Sequence, residues 1–392
     1  MKYDFAERTK KMNGTATREI FKLLSRPEII SFAGGLPAKE ALPQKEIAQI
    51  TASLLGGKDA LRILQYGTTE GFKDFRCTLV DYVRDVGIEG IDIDNTLVIS
   101  GGQDGIDLMC KSFLNPRDRV LVEDPTYLAV LQILNSYEAE AIGVKSEEDG
   151  LDIADLEEKI KKHKPKMLYV VPNFSNPTGK TYSESKRMAI AEVTAKHGVM
   201  VLEDDPYGKL RFEGESVNSL KSFDKAGNVV YLTSFSKTVS PGLRTGVAVG
   251  DKEVIRKMTV GKQGTNLHVS NLSQLIVNEY IKKYLKVNVE KSLPLYRTRR
   301  DAMIKAIDEF MPWLEHTNPH GGLFVFGRLP GGLDAEKLLP EAVERNVAYI
   351  QGNVFYADGG GRDTIRLNYS NASPEDIRRG IKALASLITE KL

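Results

Sequence analysis

The feature that most constrains this chain is an alternation, through its middle, of short apolar runs with amphipathic stretches. TLVIS (96–100) precedes a helical pattern from about Gln103, RVLVED (119–124) one from Thr126, and KMLYVVP (166–172) one over Ser183–His197. VMVLEDD (199–205), VVYLT (229–233) and TGVAVG (245–250) continue the series. Short runs that are apolar throughout, not at every second position, suit strands covered on both faces. Separated by helices they form βαβ units, so the expected fold is α/β, with a mostly parallel sheet sandwiched by helices.

Past Asp251 the pattern lengthens into helices over roughly 252–262, 270–284 and 288–310. The remainder mixes strand-like LFVFGRL and TIRLNYS with helix-like AEKLLPEAVERN and PEDIRRGIKALASLI, as in a smaller α+β domain. Residues up to Leu42, with a short helix over TREIFKLLS, either complete that domain or lie across a cleft. The division expected is an N-terminal segment 1–42, a large domain 43–290 and a small domain 291–392.

With 54 basic and 53 acidic residues the chain has no general attraction for nucleic acid or anionic lipid. Any anion must be held by a local site. Cys77 and Cys110 fit neither a zinc site nor a disulfide framework, and reduced, buried thiols are expected at both. The start, MKYDFAERTKKMNG, lacks the apolar core of a signal peptide, and no segment approaches the ~20 apolar residues of a membrane span. A cytoplasmic protein without membrane or nucleic-acid partners is the expectation.

Ligands of open α/β sheets bind at the C-terminal strand ends, and four motifs stand there. Ser100-Gly101-Gly102-Gln103 runs from strand to helix through two glycines, which favours an anion at the helix start. Asn173-Phe174-Ser175-Asn176-Pro177-Thr178-Gly179 follows MLYVV, and Glu203-Asp204-Asp205-Pro206-Tyr207 ends VMVL. Ser234-Phe235-Ser236-Lys237 follows VVYLT, with Arg244 a turn or two beyond. Each has an ordinary reading too: a tight turn, a strand-to-helix loop, a solvated acidic cluster, an exposed lysine. A metal at the acidic cluster is disfavoured, since none of the five histidines lies beside it.

In chain order these motifs resemble the fold-type I pyridoxal-phosphate (PLP) aminotransferases of class I/II, nearest the 2-aminoadipate/kynurenine branch. The resemblance runs from SFAGGLPA (31–38) through QYGTTEG (65–71), VEDPTY (122–127), NPTG, EDDPYG and SFSKTVSPGLRTG to TIRLNYS (364–370). It implies a seven-stranded sheet in the large domain and pyridoxal 5'-phosphate as cofactor. The reaction it implies moves an α-amino group to a 2-oxo acid such as 2-oxoglutarate by a ping-pong route. Lys237 matches the Schiff-base lysine, Asp204 the carboxylate that pairs with the pyridine nitrogen, and Tyr207 and Asn176 the donors to the cofactor's phenolic oxygen. Tyr127 matches the aromatic stacked on the ring. Gly102, Gln103, Ser234, Ser236 and Arg244 match the phosphate site, to which Tyr66 of a neighbouring subunit adds in a homodimer with shared active sites.

Arg366 matches the clamp on the substrate carboxylate, with Gly35 beside it, although its ordinary reading is a surface cation on an edge strand. Arg18 matches an arginine on an N-terminal helix over the site, where it reads a distal carboxylate or is simply a solvated helix charge. Donors compatible with the branch are 2-aminoadipate, glutamate, and aromatic or branched-chain amino acids. Relatives often carry Ser where Gly102 stands and Pro where Gln351 stands, which implies one hydroxyl fewer at the phosphate and a less rigid substrate rim. The same lysine and cofactor also serve β-eliminating lyases. PLP-fold sensor domains of transcription regulators carry an added DNA-binding module, for which the roughly 30 residues before SFAGGLPA are too short.

Overall fold

The computed structural model describes residues 3–10 and 26–392. In chain order the strands are β1 (Ile30–Ser31), β2 (Thr96–Ile99), β3 (Arg119–Asp124), β4 (Glu140–Glu147), β5 (Gly150–Leu151), β6 (Met167–Val170) and β7 (Met200–Asp204). They continue as β8 (Val229–Ser234), β9 (Gly246–Val249), β10 (Glu315–His316), β11 (Phe324–Arg328), β12 (Val347–Ala348), β13 (Ile350–Gln351) and β14 (Thr364–Asn368).

The large sheet has the order β2-β9-β8-β7-β6-β3-β4-β5. From β8 through β7, β6 and β3 to β4 every pairing is parallel, whereas β9 is antiparallel to both its neighbours. Two-residue β5 turns back on β4 and adds an edge to the seven strands expected.

Alternate side chains of one strand feed different cores, which is why the strands read as apolar throughout. Val120 and Val122 join Ile106, Leu108 and Met109 of helix Gly102–Phe113, while Leu121 between them joins Leu156, Ile160 and Ile190 on the opposite face. Each such side chain contributes roughly 1.5–3 kcal/mol on burial. Strand β4 escaped the sequence reading for the converse reason: near the sheet's edge, only Val144 of its eight residues is fully buried.

The small sheet, order β10-β11-β14-β13, is antiparallel throughout. Of the two courses expected for the N-terminal segment, residues 30–32 take the first. β1 pairs with β12, and Asn368 N–H donates to Phe32 O at 2.8 Å. TREIFKLLS and Arg18 lie outside the described residues. Helix Leu285–Phe310 starts against Tyr280 and Val277 of the large unit and ends with Met303 and Ile307 packed against Val325 and Ile365 of the small one.

One expectation fails at Cys77. Cys110 is buried as expected, but Cys77 is exposed, because it falls on the outer face of helix Lys73–Arg84. Among the described residues no helix is long and apolar enough to cross a membrane.

Candidate active site

The three acids that end β7 are all buried, which removes the solvated-cluster reading, and each has a different task. Glu203 accepts from the backbone N–H groups of Leu220 and Lys221 at 2.7 and 2.8 Å. Asp205 accepts from Gly208 N–H at 2.9 Å and the Tyr231 hydroxyl at 3.1 Å, and so fixes the turn beyond the strand. Asp204 alone lines a cavity of about 140 Å³. One of its oxygens takes the Tyr169 hydroxyl at 2.8 Å, and no cation pairs with it among the described residues. Burial pushes this carboxyl up to about 7; the tyrosine's hydrogen bond opposes the rise and the neighbouring Asp205 adds to it.

Lys237 lines the same cavity from the turn after β8, which is closed by Val239 and Ser240 N–H onto Phe235 O at 2.9 and 3.0 Å. Its ammonium donates to Gly35 O at 2.7 Å, so the predicted Gly35 is also brought to the site. Burial drives the amine down to about 8, and the positive charges of Arg366 and Arg244 push the same way.

Several anion donors line the cavity. Helix Gly102–Phe113 begins at it, and the N–H groups of a first helical turn have no partner within the helix. Ser234, Ser236 and Arg244 line the same cavity. Arg244 Nη2 donates to Ser100 O at 2.9 Å. Gly101 is required here: its φ is +85°, and a Cβ would sit 2.7 Å from that Nη2.

The surface-cation reading of Arg366 is overturned. β14 lies between β11 and β13, and Arg366 is 3 % exposed. It donates to Asn176 Oδ1 at 2.7 Å and Ala33 O at 2.6 Å and lies 4.3 Å from the Phe324 ring centroid. Among the described residues it touches no carboxylate, and its Nε has no hydrogen-bond partner. Burial lowers this guanidinium to about 10. Such a cation suits an incoming carboxylate. Asn176, Tyr127, Tyr207 and Gln103 also line the cavity, and burial raises both tyrosines, Tyr127 to about 12.

The rim is firmer than Gln351 alone implied. Gln351 pairs with Ile365, Phe355 O accepts from Thr126 N–H at 2.8 Å, and a Cβ on Gly352 would stand 1.7 Å from Thr364 Oγ1.

Tyr66 is not brought to this cavity within one chain. It is 79 % exposed, edge-on to the His268 ring at 5.9 Å.

The sequence reading missed Tyr169 and Glu123. Buried Glu123 accepts from Tyr182 OH at 2.6 Å, Val171 N–H at 3.0 Å and Ser175 Oγ at 3.2 Å, and so fastens the loop that carries Asn176. The signal available was a polar residue inside each apolar run, in VLVED and MLYVV.

A model of the aminotransferase class I and II family matches residues 37–384. The chain belongs to that family. An aromatic-amino-acid aminotransferase of Thermococcus litoralis is 40% identical, over 99% of this aminotransferase and 94% of that relative. A 2-aminoadipate transaminase of Thermus thermophilus is 36% identical over 97% and 95% respectively. Among solved structures, a Pyrococcus horikoshii kynurenine aminotransferase in complex with PMP superposes with a TM-score of 0.94 at 39% identity, covering 99% of this aminotransferase and 97% of that chain.

Proposed function

We propose that the cavity holds pyridoxal 5'-phosphate and that the enzyme transfers the α-amino group of an amino acid to a 2-oxo acid. One observation carries the reading: an amine held near neutrality and a buried carboxylate without a counter-ion among the described residues face one cavity, whose lining also holds anion donors. The donor set fits each part of that cofactor. Helix N–H groups at Gly102 and Gln103, the hydroxyls of Ser234 and Ser236, and Arg244 suit the phosphate. Asp204 suits the protonated pyridine nitrogen, Tyr127 the ring face, and Asn176 with Tyr207 the phenolic oxygen. Bound there, the cofactor supplies an aldehyde for the amine and a ring that draws electrons from the substrate Cα.

The chain's residues supply the rest. Lys237 would hold the cofactor covalently, and its Nζ, when free, would accept the Cα proton as a base matched to neutral pH. Asp204, ionised beside a cation, keeps that partner protonated. Arg366 holds the substrate α-carboxylate by its planar fork, with Gly35 packed beside it. We propose a cytoplasmic homodimer in which Tyr66 completes the neighbour's phosphate site, and substrates that include dicarboxylic and aromatic amino acids. Arg18, outside the described residues, is proposed to read the distal carboxylate of the former. The kinds of substrate named for the relatives support this range.

Borohydride reduction followed by peptide mapping tests the centre of the reading. Cofactor mass should appear on Lys237, and Lys237→Ala should give a folded protein without turnover across a panel of amino acids with 2-oxoglutarate. Label on another lysine contradicts the assignment.

A further inference from the structure

Asp104 sits in the first turn of the helix that begins at Gly102, where a carboxylate ordinarily turns back toward the helix's own free N–H groups. It also puts a negative charge at the end that would hold a phosphate dianion, and like charges at short range repel. Here the carboxylate is directed elsewhere. Its Oδ2 accepts from Ser100 N–H and from the Lys262 ammonium, each at 2.7 Å, and its Oδ1 accepts from Asn266 Nδ2 at 2.9 Å. Lys262 also donates to Asn266 Oδ1 at 2.8 Å.

The Lys262 side chain is wholly buried and that of Asp104 is 9 % exposed, so water and salt hardly screen the pair. Among the described residues no side chain caps the N-terminus at Gly102, which leaves its first N–H groups to the cavity. Ser100, held through its N–H by Asp104, gives its carbonyl to Arg244. One carboxylate thereby sets the turn and, through it, the guanidinium.

We propose that Lys262 is a charge-compensating positioning residue for the phosphate end. It cancels the charge of Asp104, so that this carboxylate fixes the Ser100–Gly102 turn without repelling the cofactor's phosphate. The inference rests on the cofactor reading above. It gives the two partners opposite signs in binding, which a purely structural ion pair would not.

The test is an absorbance titration of cofactor-free protein with PLP, repeated with inorganic phosphate as competitor at constant ionic strength. Lys262→Met leaves the Asp104 charge uncompensated and should weaken both ligands by about tenfold or more. Asp104→Asn keeps a hydrogen-bonding side chain but loses the negative charge, and should bind both at least as tightly as the wild type. The double variant K262M/D104N should recover most of what Lys262→Met loses. An Asp104→Asn protein that binds phosphate more weakly overturns the proposal, as does a double variant no tighter than K262M. If Lys262→Met does not fold, Asp104→Asn decides alone. A wild type that takes up no PLP overturns the cofactor reading instead, and direct calorimetric titration of the same variants with inorganic phosphate then decides this one.

Discussion

At the scale of single residues, a buried carboxylate without a counter-ion lowers the stability of the empty protein while it serves the chemistry of the loaded one. Asp204 rises from 3.8 to about 7 on folding, so the folded chain holds this proton more tightly than the unfolded chain. Stability from this group is therefore present at low pH and is lost as pH rises through about 7. At ~1.4 kcal/mol per unit, the penalty at pH 8.5 is about 4 kcal/mol. Cofactor-free Asp204→Asn should thus melt higher than cofactor-free wild type at pH 8.5, with the gap narrowing toward pH 5. Identical melting differences at the two pH values would show that Asp204 does not titrate in this way. Its neighbour Asp205 supports structure instead. Asp205→Ala strands Gly208 N–H and the Tyr231 hydroxyl, which should cost about 1–3 kcal/mol of stability while sparing turnover. Asp204→Ala should abolish turnover in a folded protein. A larger loss of kcat in Asp205→Ala would mean that Asp205 is the group facing the cofactor. The sequence distinguished these two acids only through the family resemblance, because the pleat that sends neighbours to opposite faces is a property of the folded strand.

At the scale of elements, what was legible depended on burial. Strands β2, β3, β6, β7, β8 and β9 were readable as runs because both of their faces are covered, and the motifs at their ends converge because the parallel strands end side by side. Half-covered β4 was not readable. Nor was the support given by Glu123, whose partners at 171, 175 and 182 come from a different strand and loop, a relation no local pattern records. The same limit hid the burial of Arg366, which the family resemblance alone marked as the carboxylate clamp. Its residue type suggested a surface, whereas its strand is the second from the edge of the small sheet, and pairing with Phe326 and Ile350 on either side fixes where the side chain begins. That rigidity makes lysine a poor replacement. Arg366→Lys keeps a charge but loses the fork that bonds Asn176 and Ala33. KM for the amino acid should rise by about 10–100-fold, the equivalent of ~1.5–3 kcal/mol for a lost charged hydrogen bond, with a smaller change in PLP affinity. An unchanged KM would place the substrate carboxylate elsewhere.

For the whole molecule, we propose that 43–290 and 291–392 form the two domains, with helix Leu285–Phe310 crossing from one core to the other at the boundary. The cavity's lining residues, Lys237 and Asp204 among them, all come from the first, and Arg366 of the second is tied to that lining by its hydrogen bond to Asn176. Tyr66 is the member left out: the other five residues expected at the phosphate line the cavity without it, yet its own side chain faces solvent. Tyr66, Leu61 and Leu64 are all exposed, and we propose that a second copy of the chain covers them. Subunit mixing separates action within one chain from action across two. Two tagged chains, Tyr66→Phe and Lys237→Ala, are co-expressed and the mixed dimer is isolated through both tags. If Tyr66 serves its neighbour, one site of the mixed dimer combines native Lys237 from the first chain with native Tyr66 from the second, and the other site carries both lesions. The mixed dimer should then show about half the wild-type turnover, and its one functional site should retain PLP as the wild type does. If Tyr66 serves its own chain, each site carries one lesion, and mixing should give no more activity than the average of the two parent proteins.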